Sequence, residues 1–276
     1  MALIELQDIA KSYGPRCVLT HVNLSLEEGE FVSIVGTSAS GKTSLLKIAC
    51  GLIGPSAGHV IFNGAPVRDF LGEASIVFQN YSLLPWLSAL ENVRLAVEAS
   101  YPEWPKARQR EQAEKYLQLV GLGAAAAKRP SQLSGGMRQR VAIARSFAVE
   151  PRVMFLDEPF GALDALTRST LQQELIKLCQ AAARPVTALM ITNSVDEAIL
   201  LSDRILALSR GPGATLSSAV PVPLPRPRAA DLLLHDEQSV RVRARLSEFL
   251  SAGAAGHRSA SPRDSMAVSR TVPVEA

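Results

Sequence analysis

A glycine-rich loop occurs in the sequence at Gly36-Thr37-Ser38-Ala39-Ser40-Gly41-Lys42-Thr43 and matches G-x-x-x-x-G-K-[ST] at every position. An apolar run at 31–35 precedes it, and a helical stretch at 44–50 follows it. This order of strand, loop and helix suits a triphosphate, because glycines let backbone N–H groups approach phosphates and a helix N-terminus favours anions. Lys42 supplies a positive charge for the β- and γ-phosphates, and Thr43 supplies a hydroxyl for Mg²⁺. The sequence therefore predicts a nucleoside triphosphate site.

Composition and charge limit the class of protein. The 276 residues suffice for one large core, or for a core with a subdomain. Apolar residues make up 47% and charged residues 20% of the chain, as in ordinary packed α/β proteins. The net charge of +3 is too small to point to nucleic acid as the main partner.

The sequence shows no sign of a membrane span or a signal peptide. No apolar run approaches the roughly 20 residues that cross a bilayer. The first residues lack a basic start and an apolar segment. Cys17, Cys50 and Cys179 have spacings unlike those of metal sites and fit small core residues in a reducing cytosol. We therefore expect a cytoplasmic protein.

Apolar patterns predict the strands. Uninterrupted apolar runs at 153–156 and 188–191 are typical of parallel strands buried on both faces. Alternating patterns predict strands within 1–35, interrupted by turns at 14–15 and 28–29, and short strands at 58–64 and 75–78.

Helical patterns fill 80–140, which we expect to be a helical insertion in an α/β protein. Ser88 and Glu91 have the spacing of a capping box, and a second helix is predicted over 106–120. We assign 1–230 to one nucleotide-binding domain. A C-terminal helical extension at 231–250, with its helix at 238–250, and a disordered tail at 251–276, rich in Ala, Gly, Ser, Pro and Arg, complete the chain.

The strand at 153–156 runs into Asp157-Glu158-Pro159. Doubly wound sheets place ligands at the carboxyl ends of their strands. We expect Asp157 to hold Mg²⁺, directly or through water, and Glu158 to polarise the attacking water as a general base. The alternative is an acidic turn without function, and the phosphate loop weakens it.

A second anion site is predicted at Ser134-Gly135-Gly136. Ser134 has the place of an N-cap for a helix at 137–148, and the two glycines leave the helix end open for close approach. By itself a Ser-Gly-Gly run more often marks a turn. Here it lies between the helical insertion and the acidic strand end.

Together these motifs resemble the ATP-binding subunits of ATP-binding-cassette (ABC) transporters over about residues 1–210. The resemblance implies an α/β P-loop NTPase cassette with a RecA-like parallel core, an antiparallel β subdomain and an inserted helical subdomain. It also implies ATP hydrolysis with ATP and Mg²⁺ as cofactors. Ser134, Gly135 and Gly136 correspond to the signature sequence of the family.

The resemblance assigns roles to three further residues. Gln79 matches the Q-loop glutamine, which links the Mg²⁺ and water site to the membrane subunits. Asp164 matches the D-loop residue at the dimer seam. Tyr13 matches the aromatic residue that stacks on adenine, although an ordinary strand aromatic is the alternative.

Partners also follow from the resemblance. In the family two subunits face head to tail, and each ATP lies between the phosphate loop of one and the signature of the other. We expect a second ATP-binding subunit in a homo- or heterodimer, two membrane permease subunits and, indirectly, a solute-binding protein at the cytoplasmic face of a bacterial inner membrane. The apolar segment 78–87 forms either a socket for a partner helix or core between sheet and insertion.

One position departs from the family pattern. The strand at 188–191 leads into Thr192-Asn193-Ser194, where the family has Thr-His-Asp and the histidine contacts the γ-phosphate. An asparagine donates a hydrogen bond but has a shorter reach and carries no charge. We expect ATP binding to be normal and hydrolysis to be slowed. The alternative, that the asparagine is tolerated with little loss of hydrolysis, stays open. Ser194 and Glu197 have capping-box spacing, so we expect the helix start to survive.

The solute rests on resemblance alone. Segments at 78–87 and 156–168 are similar to the nitrate, sulfonate and taurine importer group, and segments at 201–205, 211–215 and 222–228 are similar to its nitrate branch. Uptake of taurine, alkanesulfonate or cyanate stays open, as does a hydrolysis-impaired partner subunit. A soluble cassette acting on nucleic acid is disfavoured by the single cassette, the small charge and the lack of sustained heptads.

Overall fold

The computed structural model describes residues 2–181, 185–226, 228 and 236–255. None of the helices in these ranges combines the length and apolar character of a membrane span. The predicted tail at 251–276 lies outside the described residues from 256 onward.

Ten strands form two sheets in the part of the chain that the structure describes. In chain order they are β1 Ala2–Tyr13, β2 Arg16–Glu27, β3 Phe31–Val35, β4 Ala57–Phe62, β5 Ala65–Pro66, β6 Ala74–Val77, β7 Val153–Asp157, β8 Thr187–Thr192, β9 Arg204–Ala207 and β10 Val220–Pro221. The strands predicted within 1–35 and the turns between them are confirmed, whereas the two-residue strand β5 was not predicted.

The central sheet has six strands in the order β10-β9-β3-β8-β7-β6. All neighbours pair in parallel except the edge strand β10, which runs antiparallel to β9. Every residue of β3, β7 and β8 is buried, as the uninterrupted apolar runs of the latter two predicted. A smaller antiparallel sheet has the order β2-β1-β4-β5.

Seven α-helices complete the described part of the chain. They are α1 Lys42–Ala49, α2 Ala89–Ser100, α3 Lys106–Leu119, α4 Gly135–Ala148, α5 Ala165–Ala181, α6 Val195–Leu201 and α7 Glu237–Ala255. The predicted capping box at the start of α2 is confirmed in both of its hydrogen bonds, between Ser88 and Glu91. The helix α7 continues five residues beyond its predicted end at Leu250.

Side chains on the two faces of the central strands enter different apolar clusters. Met154 and Leu156 of β7 pack with the helical insertion and α5, while Val153 and Phe155 pack with α1 and the antiparallel sheet. Because successive residues of a strand point to opposite faces, both clusters are anchored on the same strands. The strand ends and the helix starts at one edge are thereby held rigidly.

A buried arginine holds the chain beyond β10 against α6. The Arg228 guanidinium donates to the carbonyls of Ile199 and Ser202 at the end of α6, at 2.6 and 2.7 Å. It also donates to Val222 and Leu224 at 3.2 and 2.9 Å. Burial lowers the pKa of Arg228 to about 10, so the group stays charged near neutral pH and suits the negative end of a helix.

Candidate functional site

The phosphate loop lies between β3 and α1, as predicted. Gly41 has a φ of +102°, and a Cβ at this position would lie 2.8 Å from Val18 Cγ1. A side chain is therefore excluded both by backbone conformation and by space. The loop is shaped by its second glycine to pass closely under β2.

Lys42 is held at the centre of the loop. Its Nζ donates to the carbonyl oxygens of Gly36 and Thr37 at 2.9 and 3.0 Å, and to Asn193 Oδ1 at 2.9 Å. Burial lowers the pKa of the amine, and Glu158, whose Oε1 lies 3.6 Å away, acts in the opposite direction. The cation is thus held in place by the loop carbonyls and Asn193.

Thr43 and Asp157 meet across the start of α1. The Thr43 hydroxyl donates to Asp157 Oδ1 at 3.1 Å, and burial raises the pKa of Asp157. A hydroxyl and one carboxylate are hard oxygen donors, and Mg²⁺ bound to nucleotides takes its other ligands from phosphates and water. The donor set therefore fits the magnesium ion that the sequence predicted.

Glu158 stands at the end of β7 in an unusual backbone conformation, with a φ of +45°. Its N–H donates to the carbonyl of Ile191 at 3.0 Å, and its Oε1 accepts from Asn193 Nδ2 at 2.7 Å. Strained backbone of this kind is common where a side chain must be presented to a ligand. A Cβ on Gly161 would lie 3.4 Å from Glu158 Oε2 and 3.6 Å from Gln79 Nε2, so this turn brings Glu158 and Gln79 together.

Asn193 lies between the lysine and the glutamate. Its carbonyl oxygen accepts from Lys42 and its amide nitrogen donates to Glu158, so both ends of the carboxamide are used. The sequence predicted that this residue belongs to the site, and the structure places it there. It did not predict that a single neutral side chain bridges both charged groups.

The capping box predicted at Ser194 and Glu197 is only half correct. The Ser194 hydroxyl accepts from the Glu197 N–H at 3.3 Å, as an N-cap does. The Glu197 carboxylate, however, accepts from the Thr192 hydroxyl at 2.5 Å, and the Ser194 N–H donates to Thr192 Oγ1 at 3.0 Å. In a full capping box the Glu197 carboxylate would accept the Ser194 N–H. Here the Thr192 hydroxyl accepts that N–H and donates to the carboxylate instead.

Tyr13 and the loop line a shared cavity of about 410 Å³. The Tyr13 ring is 51% exposed, and its hydroxyl lies 3.3 Å from Ser44 Oγ. Lys11 Nζ lies 5.1 Å from the centre of the ring. The ring face is thus accessible beside the phosphate loop, where a base could stack. The sequence had singled out Glu158 and the loop residues among the rest of the lining, but not Arg16, Val18 or Ser44. The remaining lining residues are Arg16, Val18, Ala39, Gly41, Lys42, Thr43, Ser44 and Glu158.

The predicted second anion site lies at the start of α4. Ser134 caps the helix by accepting from the Met137 N–H at 3.2 Å, as predicted, and the helix begins at Gly135, two residues earlier than expected. A Cβ on Gly136 would lie 2.4 Å from Thr167 Cγ2. The glycine is therefore needed for packing of this helix end against α5.

Asp164 caps α5. Its Oδ1 accepts from the Thr167 N–H at 3.0 Å, and this hydrogen bond lowers the pKa of Asp164. The residue is exposed. An exposed carboxylate beside the α4 end suits the dimer seam that the resemblance implied, and that role stays a prediction.

The segment 78–87 was predicted to be either a socket for a partner helix or part of the core, and its residues differ in this respect. The Trp86 side chain is 65% exposed. Leu83 is half-buried and packs against the core. One exposed indole therefore remains available for a partner, while the leucine belongs to the fold.

Comparison with known proteins agrees with this geometry. The ABC transporter family matches residues 19–161. The nitrate import ATP-binding protein NrtD of Synechococcus elongatus is 45% identical over 86% of this chain and 86% of its own length. The bicarbonate transport ATP-binding protein CmpD of Synechocystis is 41% identical over 90% of this chain and 89% of its own.

A longer relative and a solved structure extend the comparison. The bicarbonate transport ATP-binding protein CmpC of Synechococcus elongatus is 43% identical, and the match spans 38% of its length. The post-hydrolysis dimer of the ATP-binding cassette MJ0796, bound to ADP and Pi, matches 79% of this chain with a TM-score of 0.70 and 32% identity.

The chain belongs to the ABC transporter ATP-binding family. It is an ATP-hydrolysing cassette with the α/β P-loop fold that its sequence predicted. ATP is its nucleotide.

Proposed function

We propose that the chain drives import of a small oxyanion, with nitrate as the solute. The observation that carries the solute class is its similarity, at 45% over most of both chains, to a nitrate import ATP-binding protein. Bicarbonate is the second candidate, because bicarbonate transport proteins match at 41% over similar lengths. Taurine, alkanesulfonate and cyanate have no counterpart among these relatives.

Uptake measurements separate the two solutes. Cells that carry Lys42→Ala in this chain should lose uptake of labelled nitrate and keep uptake of labelled bicarbonate. Restoring the original chain should restore nitrate uptake. Loss of bicarbonate uptake alone would contradict the nitrate assignment and support the second candidate.

The reaction proposed for this site divides among the residues that the structure brings together. Lys42 and the loop N–H groups hold the β- and γ-phosphates, and Tyr13 stacks on adenine. Thr43, Asp157 and Gln79 would hold Mg²⁺, which would supply positive charge against the phosphates. Glu158 accepts a proton from the attacking water, and Asn193 holds that carboxylate through the bond of 2.7 Å.

The signature end is proposed to serve a second subunit. The Ser134 hydroxyl and carbonyl bond to α4 itself, and Gly135 and Gly136 expose the helix N-terminus to an anion from outside. A head-to-tail dimer would bring this end to the nucleotide of the partner. Two permease subunits at the cytoplasmic membrane face, and indirectly a solute-binding protein, would then receive the motion of the dimer.

Slow hydrolysis at the site of this chain is a second part of the proposal. Asn193 is shorter than the histidine that the family has here, and its amide is already bonded to Lys42 and Glu158. Loss of one well-placed polar contact slows phosphoryl transfer by about 10²–10³-fold. Such a chain could still serve as one half of a mixed dimer, because its signature end is intact.

An ATPase assay of the purified chain against Asn193→His tests this part. Turnover should rise in the histidine variant, by up to about 10²-fold, with ATP affinity unchanged. Asn92→His, at an asparagine buried in α2, controls for a general effect of the substitution. Equal turnover of Asn193→His and the original chain would remove the idea of a slowed site.

A further inference from the structure

Glu197 is a buried carboxylate in the first turn of α6 that the reaction proposed above does not use. It is 6% exposed. A buried carboxylate is costly unless its oxygens have partners. Here Oε2 accepts from the Thr192 hydroxyl at 2.5 Å, and Oε1 lies 3.7 Å from Arg168 Nε. The two oxygens therefore face two different parts of the chain.

The Thr192 side of this arrangement surrounds Asn193. The Thr192 hydroxyl donates to Glu197 and accepts the N–H of Ser194 at 3.0 Å. The Ser194 hydroxyl in turn accepts the N–H of Glu197 at 3.3 Å. These three hydrogen bonds close a ring around the strand end and fix the backbone on both sides of Asn193, whose amide is bonded to Lys42 and Glu158.

The Arg168 side reaches the turn before α5. Arg168 Nη2 donates to the Leu163 carbonyl at 3.0 Å, and the Arg168 N–H donates to the Asp164 carbonyl at 2.9 Å. Its partner Glu197 is buried, whereas the Arg168 side chain is 39% exposed, so the pair lies at the edge of the buried region. One carboxylate thus contacts both the segment that carries Asn193 and the arginine that holds the turn at 163–164.

The geometry points to Glu197 as a positioning residue for ATP hydrolysis, which holds Asn193 against Glu158 and ties its placement to the turn at 163–164. Glu197 acts through Thr192 and Arg168. The inference rests on the proposed roles of Glu158 and Asn193 in hydrolysis and is independent of the transported solute.

Graded substitutions of Glu197 test the inference in the full chain. Glu197→Gln keeps an oxygen for Thr192 and removes the charge that faces Arg168, whereas Glu197→Ala removes both. We expect kcat to fall about tenfold in the first variant and about 100-fold in the second, because small misplacements of reacting groups have effects of this size. KM should stay within about twofold, because the phosphate contacts are intact.

Glu174→Gln is the matched control. Glu174 lies in α5, is partly buried, and pairs with Arg140 at 3.0 Å, away from Asn193. Its kcat should stay unchanged. An unchanged kcat in both Glu197 variants, or an equal fall in Glu174→Gln, would overturn the inference.

A double variant separates positioning from general damage. If Glu197 acts through Asn193, the variant with both Asn193→Ala and Glu197→Gln should be no slower than Asn193→Ala alone. Multiplied losses in the double variant would contradict the inference.

Hydrogen exchange gives a readout that does not depend on turnover. The N–H groups of Ser194 and Arg168 should exchange faster in Glu197→Ala and not in Glu174→Gln. If exchange at both N–H groups is unchanged in Glu197→Ala, the positioning role is wrong. This holds also when Glu158→Gln abolishes hydrolysis and the proposed reaction is thereby supported. If Glu158→Gln instead leaves hydrolysis intact, the proposed reaction fails, and faster exchange in Glu197→Ala would still show that the network holds this segment.

Discussion

The helix starts of α1 and α4 were both predicted to bind anions, but different groups surround them. At α1, Asn193 is hydrogen-bonded to both Lys42 and Glu158, which lie 3.6 Å apart, and Thr43 is hydrogen-bonded to Asp157. At α4, Ser134 bonds to its own helix, and the next glycines lie against Tyr81 and Thr167. The first end carries the groups that chemistry needs, and the second offers backbone donors and close approach. The difference is in keeping with the proposal that α4 serves the nucleotide of a second subunit.

The largest expected effect falls at the α1 end. Lys42→Ala should weaken ATP binding by about 100-fold, because it removes a charged donor to the phosphates and leaves Glu158 without its nearby cation. A titration with a fluorescent ATP analogue measures this. Lys47→Ala, in the last turn of the same helix, should bind as the original chain does. Equal ATP affinity of Lys42→Ala and Lys47→Ala would show that Lys42 makes no particular contribution to ATP binding at the α1 end.

A smaller effect is expected at the α4 end, and of a different kind. Gly136→Ala places a Cβ 2.4 Å from Thr167 Cγ2, so α4 must shift away from α5. Turnover should fall about tenfold, while binding of the ATP analogue to the phosphate loop should not change. Adding Thr167→Ala removes the clash and should restore turnover. A loss of binding in Gly136→Ala would mean that the two ends are not separate in function.

The smallest effect compares two helix caps. Ser134→Ala and Ser88→Ala each remove a serine that accepts a backbone N–H at 3.2 Å. Each should lower the free energy of unfolding by about 1 kcal/mol, as measured in urea. Only Ser134→Ala should also reduce turnover, since α2 carries none of the proposed site. Equal turnover in both variants would show that the α4 cap has a structural role alone.

Local patterns were sufficient to predict most of the fold. The apolar runs at 153–156 and 188–191 identify β7 and β8 because strands buried on both faces need apolar residues throughout. The phosphate loop could also be identified from the sequence, since its glycines and lysine are required by the conformation and charge of the loop itself. Strand β5 was not predicted because a strand of two residues is too short to show an alternating pattern of apolar and polar residues.

Contacts between distant segments were not predictable in this way. Ser194 and Glu197 show the same spacing whether the glutamate returns to the helix start or bonds to a strand residue. Which partner it takes depends on where Thr192 lies, and that is set by the packing of β8 against β3 and β7. The bridge made by Asn193 likewise needs Lys42 and Glu158, which are 151 and 35 residues away in the chain.

The carboxamide of Asn193 has a consequence for how the cassette responds to acidity. An imidazole at the same place would change its charge between about pH 5 and pH 8, whereas a carboxamide gains no proton in that range. Asn193 therefore adds no change of charge to the site in this pH range.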